Sequence, residues 1–169
     1  MKVLIVSDNH RDEASLEDLI YIYEKEIDLW LHCGDSEFGV DHPVWNTFVT
    51  VQGNMDWENK LPKIAVEENE GTRFAVLHGH NHQVRRSLEP MEEVAEANNV
   101  SIVFYGHTHV AKVDEQNGVY FINPGSITQP RGANKVGSYA IYEEVGKDRF
   151  IRYYDWNHNE LQELSQELL

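Results

Sequence analysis

Nine histidines stand in a chain of 169 residues, most of them in short clusters beside Gly, Asp or Asn. Imidazole serves as a metal ligand and as an acid–base group near neutral pH. Five polar motifs hold these and the other donors: Asp8-Asn9-His10, Gly34-Asp35, Gly53-Asn54-Met55-Asp56, His78-Gly79-His80 and Gly106-His107-Thr108-His109. Mixed imidazole–carboxylate shells suit Mn²⁺, Fe²⁺, Zn²⁺, Co²⁺ or Ni²⁺. Ca²⁺ and Mg²⁺ favour oxygen alone. Asp8, His10, Asp35, Asn54, His78, His107 and His109 exceed the need of one tetrahedral ion. They match two ions that share a bridging carboxylate. Such sites, with ions roughly 3.5–4 Å apart, serve in-line displacement at phosphorus.

Taken singly, each motif has an ordinary explanation. Asp8 or Asp35 alone reads as a helix cap or turn residue. Gly53-Asn54 alone is a turn signal. His107 and His109 would point to opposite faces of an ideal strand, so a loop beyond the strand must aim both at one site. The joint order and placement are what ordinary turns do not supply.

Each motif follows directly on an apolar run, and those runs must position it. Lys2–Val6, Leu29–Cys33, Thr47–Val51 and Ile102–Tyr105 read as strands. Lys63–Glu68 and Arg73–Leu77 read as a hairpin around Asn69-Glu70-Gly71. Asp12 to Glu26 reads as a helix, because Leu16, Leu19, Ile20, Tyr23 and Ile27 form one stripe. Ser87–Asn98 reads as a second helix, with Pro90 in its first turn. Val110–Val113 and Val119–Ile122 flank Asn117-Gly118, while Ser138–Glu143 and Phe150–Tyr154 flank Val145-Gly146-Lys147; both pairs read as hairpins. Asn159 to Leu168 reads as a terminal helix on a stripe of Leu161, Leu164 and Leu168. The pattern implies an α/β sandwich with a mixed sheet. Ligands of open α/β sheets bind beyond the carboxyl ends of strands, so strands sharing one sheet would bring the motifs to one edge.

Composition narrows the field. A hydrophobic fraction of 41% supplies a core, and the length fits a single domain over residues 1–169. The net charge of −15 excludes a sequence-independent binder of duplex nucleic acid and disfavours an anionic membrane. One cysteine, Cys33, excludes an intramolecular disulfide and fits a reducing cytoplasm. Its place at a strand end reads as inert and buried. The opening MKVLIVSDNH is too short an apolar run for a signal peptide.

The series Asp-x-His, Gly-Asp, Gly-Asn-x-Asp, His-Gly-His and Gly-His-Thr-His, in that order, resembles the calcineurin-like metallophosphoesterases. The short chain, the Gly-Asn-x-Asp form and Ile122-Asn123-Pro124-Gly125-Ser126 resemble the small, YfcE-like phosphodiesterase branch. The resemblance covers essentially the whole chain. It implies a four-layer α-β-β-α sandwich with mixed sheets and a dinuclear centre at one sheet edge. By position it implies that Asp8, His10 and His109 bind one metal, that Asn54, His78 and His107 bind the other, and that Asp35 bridges them. Mn²⁺ is the leading choice of ion. Two divalent ions would outweigh Asp8 and Asp35 and keep the centre electropositive. They would also bring the pKa of a bridging water from 15.7 towards ~7, giving a hydroxide that attacks phosphorus in line.

The residues expected to carry catalysis are Asp35, Asn54 and His80. Those expected to touch a small phosphodiester are Asn9, His80 and Arg131. His32 and His82 read as outside the chemistry. Ser126 reads as a loop hydrogen-bonder, since no His–Asp pair is left to activate it. Tyr153 to Trp156 reads as core or as contact within a homo-oligomer. Many members of the wider family carry a His after the motif Asn, and this chain has Met55, whose thioether donates no proton. Two other functions stay open: a phosphomonoesterase or nucleotidase, and a non-catalytic scaffold like the retromer vacuolar sorting subunit, which the fold also resembles.

Overall fold

The computed structural model describes residues 1–169. The chain runs β1 (Lys2–Val6), α1 (Glu13–Tyr23), β2 (Leu29–His32), a 3₁₀ turn (Pro43–Asn46) and β3 (Val49–Thr50). The hairpin β4 (Ile64–Asn69) and β5 (Thr72–Leu77) follows, then α2 (Glu89–Asn98) and β6 (Ile102–Phe104). The hairpins β7 (Lys112–Gln116) with β8 (Val119–Asn123) and β9 (Ser138–Val145) with β10 (Asp148–Asp155) precede β11 (Gln166–Leu168). No helix is long and apolar enough to cross a membrane.

The strands form two sheets, in the orders β11-β10-β9-β1-β2-β3 and β4-β5-β6-β8-β7. Both are mixed: β1, β2 and β3 run parallel in the first, and β5, β6 and β8 in the second, with antiparallel strands beside them. Period-two alternation makes the layers. Val3 and Ile5 of β1 join Leu31, Phe74, Val76 and Phe104 in the core between the sheets. Leu4 and Val6, on the opposite face, pack on Leu16 and Leu19 of α1. Ala75, Leu77 and Val103 turn outward from the second sheet onto Met91 and Ala95 of α2. The order is α1, sheet, sheet, α2, a four-layer sandwich. Cys33 is fully buried between the sheets, as its position implied.

Turn chemistry was a reliable guide. Asn117 and Gly118 have φ of 53° and 79°, the double left-handed pair of a two-residue hairpin. The four-layer sandwich with mixed sheets is as expected, and one expectation is corrected. The motif-bearing strands are divided between the sheets: β1, β2 and β3 lie in one, β5 and β6 in the other. The motifs meet because the carboxyl ends of these strands lie along the same edge of the sandwich. The corrected expectation is the terminal segment, which is no helix. Its three leucines suit a turn and an edge strand equally well, and β10 offers an unpaired edge that would otherwise lack partners. Residues 166–168 pair antiparallel with Ile151, Phe150 and Arg149. Leu161 and Leu164 pack from the preceding turn onto the core that Leu168 enters.

This placement makes a direct prediction. Leu168 is 3% exposed and Leu169 94%. Leu168→Ala should cost about 2 kcal/mol, the low end for a buried leucine, because the site lies on an edge strand. Leu169→Ala should change stability by less than about 0.5 kcal/mol. Urea unfolding of both variants checks this; equal effects would contradict the edge-strand assignment.

Candidate metal centre

Main-chain bonds join the loop after β1 to that after β2, and the loop after β5 to that after β6. Asp8 N–H donates to the Gly34 carbonyl (3.1 Å), His10 N–H to Asp35 (3.1 Å) and Gly106 N–H to His78 (3.0 Å). The loops turn sharply. Asp8, His10, Asp35, His107 and His109 all have positive φ, between 45° and 69°. Each costs a non-glycine residue on the order of 1 kcal/mol or more, and such outliers concentrate at functional sites. Two glycines allow the close approach. A Cβ on Gly53 would overlap the Asp35 carboxylate, and one on Gly106 would overlap Ser7 and Asp8.

Asp8 sits at the centre with no exposed surface. Its Oδ2 accepts from Ser7 Oγ and from His107 N–H (3.2 Å). Its Oδ1 is buried without a hydrogen-bond partner. Around that oxygen lie His109 Nε2 at 3.1 Å, His10 Nε2 at 3.7 Å and His78 Nε2 at 4.0 Å. The second carboxylate, Asp35, has Oδ2 3.2 Å from His78 Nε2, and its Oδ1 accepts from Met55 N–H (2.8 Å). Asn54 Oδ1 lies 3.0 Å from His78 Nε2 and 3.1 Å from His107 Nδ1.

The far sides of three imidazoles fix their tautomers. His78 Nδ1–H donates to the Cys33 carbonyl (2.7 Å), and His109 Nδ1–H to that of Gln129 (2.8 Å). His10 Nδ1 faces the Glu37 carboxylate at 3.1 Å. A carbonyl can only accept, so these anchors turn Nε2 lone pairs inward, as second partners of metal-bound imidazoles do. His10 Nε2 and His109 Nε2 then face each other at 3.2 Å beside a carboxylate oxygen. Lone pairs so placed repel unless a cation or proton lies among them. Ligand atoms of Asp8, His10 and His109 lie within 4.8 Å of one another, as do those of Asp8, Asp35 and His78. Both groups fit a divalent ion. In the metal-free chain, burial opposes the ionised forms of Asp8, Asp35 and His78, but mutual attraction outweighs it. Both carboxyls are held below their usual range, and His78 is held above its own.

Supporting side chains complete the site, and the role of most of them was not read from the sequence even where a motif contained them. Asp56, the last residue of Gly-Asn-x-Asp, accepts from the N–H groups of Asp35 (3.0 Å), Gly53 (2.8 Å) and Glu37 (2.7 Å). It ties the second motif to the third. Asn123 Nδ2 donates to the Gly106 carbonyl and to Thr108 Oγ1, both at 3.0 Å. Ser126 Oγ donates to the Asp8 carbonyl (2.8 Å), which is a structural bond. The Gly-Asn-x-Asp and Asn-Pro-Gly-Ser strings marked Asp56 and Asn123 as motif members; nothing marked Glu37.

Other sequence assignments separate here. Asn9 is fully buried; its Oδ1 accepts from His32 Nε2 (2.8 Å) and its Nδ2 donates to the Asp12 carbonyl (3.0 Å). Both ends of the amide are engaged, which corrects the expectation that it touches substrate. His32 accepts from Gly34 N–H at Nδ1 (3.0 Å), so it braces the two loops without facing the cluster. The His80 ring centroid lies 5.4 Å from that of His78, and its shielded Nδ1 has no partner. An open cleft of about 530 Å³ is lined by His10, Asp35, Asn54, His107 and His109. Met55, half exposed, and Arg131 border it, as do Arg11 and Arg85, which carried no sequence signal. A larger cavity of about 760 Å³ against α1 and Trp156 contains none of the clustered ligand atoms.

The comparisons agree with this geometry. The calcineurin-like phosphoesterase superfamily domain matches residues 1–147. The probable metallophosphoesterase YsnB of Bacillus subtilis is 34% identical over 164 residues, 97% of this chain and 96% of that protein. The phosphodiesterase MJ0936 of Methanocaldococcus jannaschii is 28% identical over 144 residues, 74% and 83% of the two chains. A crystal structure of a conserved Streptococcus pneumoniae protein superimposes with a TM-score of 0.94 at 30% identity, covering 99% of this chain and 96% of that one. Loops that gather metal ligands at the edge of a double sheet are what such a family would need, and the chain belongs to the calcineurin-like phosphoesterase superfamily.

His32 generates a pH prediction. Burial pulls its pKa from 6.5 down to about 4, against the opposing pull of Asp56 and Asp8. The unfolded chain binds the proton near 6.5 and the folded chain resists it. The stability is therefore complete above pH 6.5 and is lost as pH falls towards 4. Between pH 7 and pH 5 the metal-free protein should lose about 2 kcal/mol from this residue. His32→Gln should be less stable at pH 7 but less sensitive to acid. Denaturant titrations at both pH values check this; equal pH sensitivity in the two proteins would contradict it.

Proposed function

We propose that the chain is a metal-dependent phosphodiesterase with two divalent ions in this cleft, Mn²⁺ being the first to test. The carrying observation is Asp8 Oδ1, buried and unpartnered among three imidazole Nε2 atoms. In this reading Asp8, His10 and His109 hold one ion, Asn54, His78 and His107 hold the other, and Asp35 lies between them. The inward Nε2 atoms and the 3.0–3.1 Å spacing of Asn54 Oδ1 from His78 and His107 support the grouping. When bound, the ions would supply an activated water and compensate charge on the phosphoryl oxygens.

The chain's own residues define the rest of the reaction. Asp56 holds the Asp35 loop through two amides, those of Asp35 and Glu37, so the carboxylate is fixed before substrate arrives. In this reading His80, whose ring centroid lies 5.4 Å from that of His78 and whose pKa burial and His78 hold below the ordinary value, is the neighbouring imidazole that would contact a phosphate. No donor stands at position 55, which favours diesters whose leaving groups depart without a proton. A phosphomonoesterase or a binding scaffold would share the fold; completeness of the ligand set favours catalysis over the scaffold.

The decisive assay uses bis(p-nitrophenyl) phosphate. The purified protein should hydrolyse it with Mn²⁺ and lose the activity to a chelator. Asp35→Asn should lose nearly all turnover together with bound metal at one or both positions. Wild-type turnover by Asp35→Asn with two ions per chain would refute the dinuclear reading.

Met55 gives a second test. Its side chain faces the cleft while its N–H is bound to Asp35, so Met55→His would place an imidazole there. Both Asp56 oxygens already accept from backbone amides, so they are not free to orient the new ring. General acids contribute about 10²–10⁴-fold when well placed. A graft without support should give on the order of tenfold, for alkyl and not p-nitrophenyl leaving groups. Equal dependence of rate on leaving-group pKa in both proteins would show that no proton is needed at position 55.

A further inference from the structure

The cleft carries more positive charge than hydrolysis of a simple diester requires. The chain has a net charge of −15, yet exposed Arg11, Arg85 and Arg131 all border this one cleft. Their surroundings differ. Arg11 Nη2 lies 3.3 Å from Glu37 Oε1, so its charge is answered within the protein. Arg85 Nη2 donates to the His107 carbonyl at 3.3 Å, a neutral partner that positions the guanidinium without cancelling it. Arg131 is anchored by its main chain, whose N–H donates to the His109 carbonyl at 2.9 Å. The acids bordering the cleft are Asp35, which belongs to the ligand cluster, and Glu37, which already faces His10 and Arg11.

Charge arithmetic shows what is left over. On the phosphodiesterase reading, two divalent ions bring +4 and Asp8 with Asp35 returns −2. An attacking hydroxide and a monoanionic diester cancel the remaining +2. Arg85 and Arg131 then stand as two further positive charges with no anion assigned to them. A phosphate monoester carries about −1.5 to −2 at pH 7. Guanidinium groups pair with phosphate oxygens two at a time, which lysine does not do.

We infer that Arg85 and Arg131 form a second phosphate subsite, and that the substrate class is a phosphodiester bearing an additional terminal phosphate, such as a nucleotide diester phosphorylated on its sugar. The inference rests on the phosphodiesterase reading and names the substrate for that site. The Arg85 guanidinium is held on the His107 carbonyl and the Arg131 main chain on that of His109, so both residues stand next to the ligand cluster. The cleft, about 530 Å³, has room beyond a single phosphate.

The test compares the p-nitrophenyl ester of thymidine 5′-phosphate with and without a 3′-phosphate, on the Mn²⁺-loaded protein. Scissile bond and leaving group are the same in both. The 3′-phosphate should raise kcat/KM by about tenfold or more, the usual worth of a hydrogen bond to a charged group. Arg85→Ala and Arg131→Ala should each move that ratio towards one, and Arg131→Lys should restore part of it. Calorimetry supplies a readout without turnover. Thymidine 3′,5′-bisphosphate should bind about tenfold tighter than thymidine 5′-monophosphate, less so in either variant and at high salt. Equal kcat/KM for the two esters with equal affinities would overturn the subsite and leave phosphodiester hydrolysis standing. Hydrolysis of neither ester would overturn the proposed function instead, and calorimetry alone would then decide the subsite, equal affinities counting against it.

Discussion

Asp8 is a carboxylate with no exposed surface and one oxygen that accepts no hydrogen bond. Burying an ion costs several kcal/mol unless an opposite charge is placed against it. In the chain alone the groups that face it are His109, His10 and His78, whose Nε2 atoms lie 3.1–4.0 Å away. Imidazoles can serve this purpose as protonated partners or by sharing a cation. Their outer nitrogens are held by Gln129, Glu37 and Cys33, so each ring has little freedom to turn away. The loops around Asp8 are arranged to keep these groups together, at the expense of five residues in left-handed backbone.

The sandwich explains how a short chain supports that strain. β1 is central in its sheet, between β2 and β9, with Val3, Leu4, Ile5 and Val6 all fully buried. It delivers Asp8 from the most constrained part of the fold. β6, between β5 and β8 in the second sheet, delivers His107 and His109 from across the interface. The two sheets pack through Val3, Ile5, Phe74 and Phe104, so the spacing of Asp8 and His109 is set by side-chain packing well below the cleft. A core substitution there would shift ligand geometry without touching a ligand.

The sequence was most informative where backbone chemistry is local. Asn117-Gly118 specified a hairpin, and the apolar runs before each motif specified strands with nearly the observed bounds. The ligand cluster was legible because metal-binding side chains are rare next to glycine at strand ends. Three features were not legible. Whether the motif strands shared a sheet depends on long-range pairing, which alternation does not encode. The last ten residues had leucines at a spacing that fits a helix or a turn and strand, and the free edge of β10 decided between them. Asn9 sits beside two cluster members in sequence, yet its amide turns inward to His32 and Asp12. Arg11 and Arg85 were invisible because an exposed arginine has no sequence context that distinguishes a cleft from open surface.

The claim at the centre of this account is that the buried carboxylates and imidazoles hold two cations in place of protons. Anomalous diffraction from crystals grown with Mn²⁺ at neutral pH tests it most directly. The account predicts two peaks roughly 3.5–4 Å apart, one flanked by Asp8, His10 and His109 and the other by Asn54, His78 and His107, with Asp35 between them. A single peak, or none within reach of Asp8 Oδ1, would contradict it.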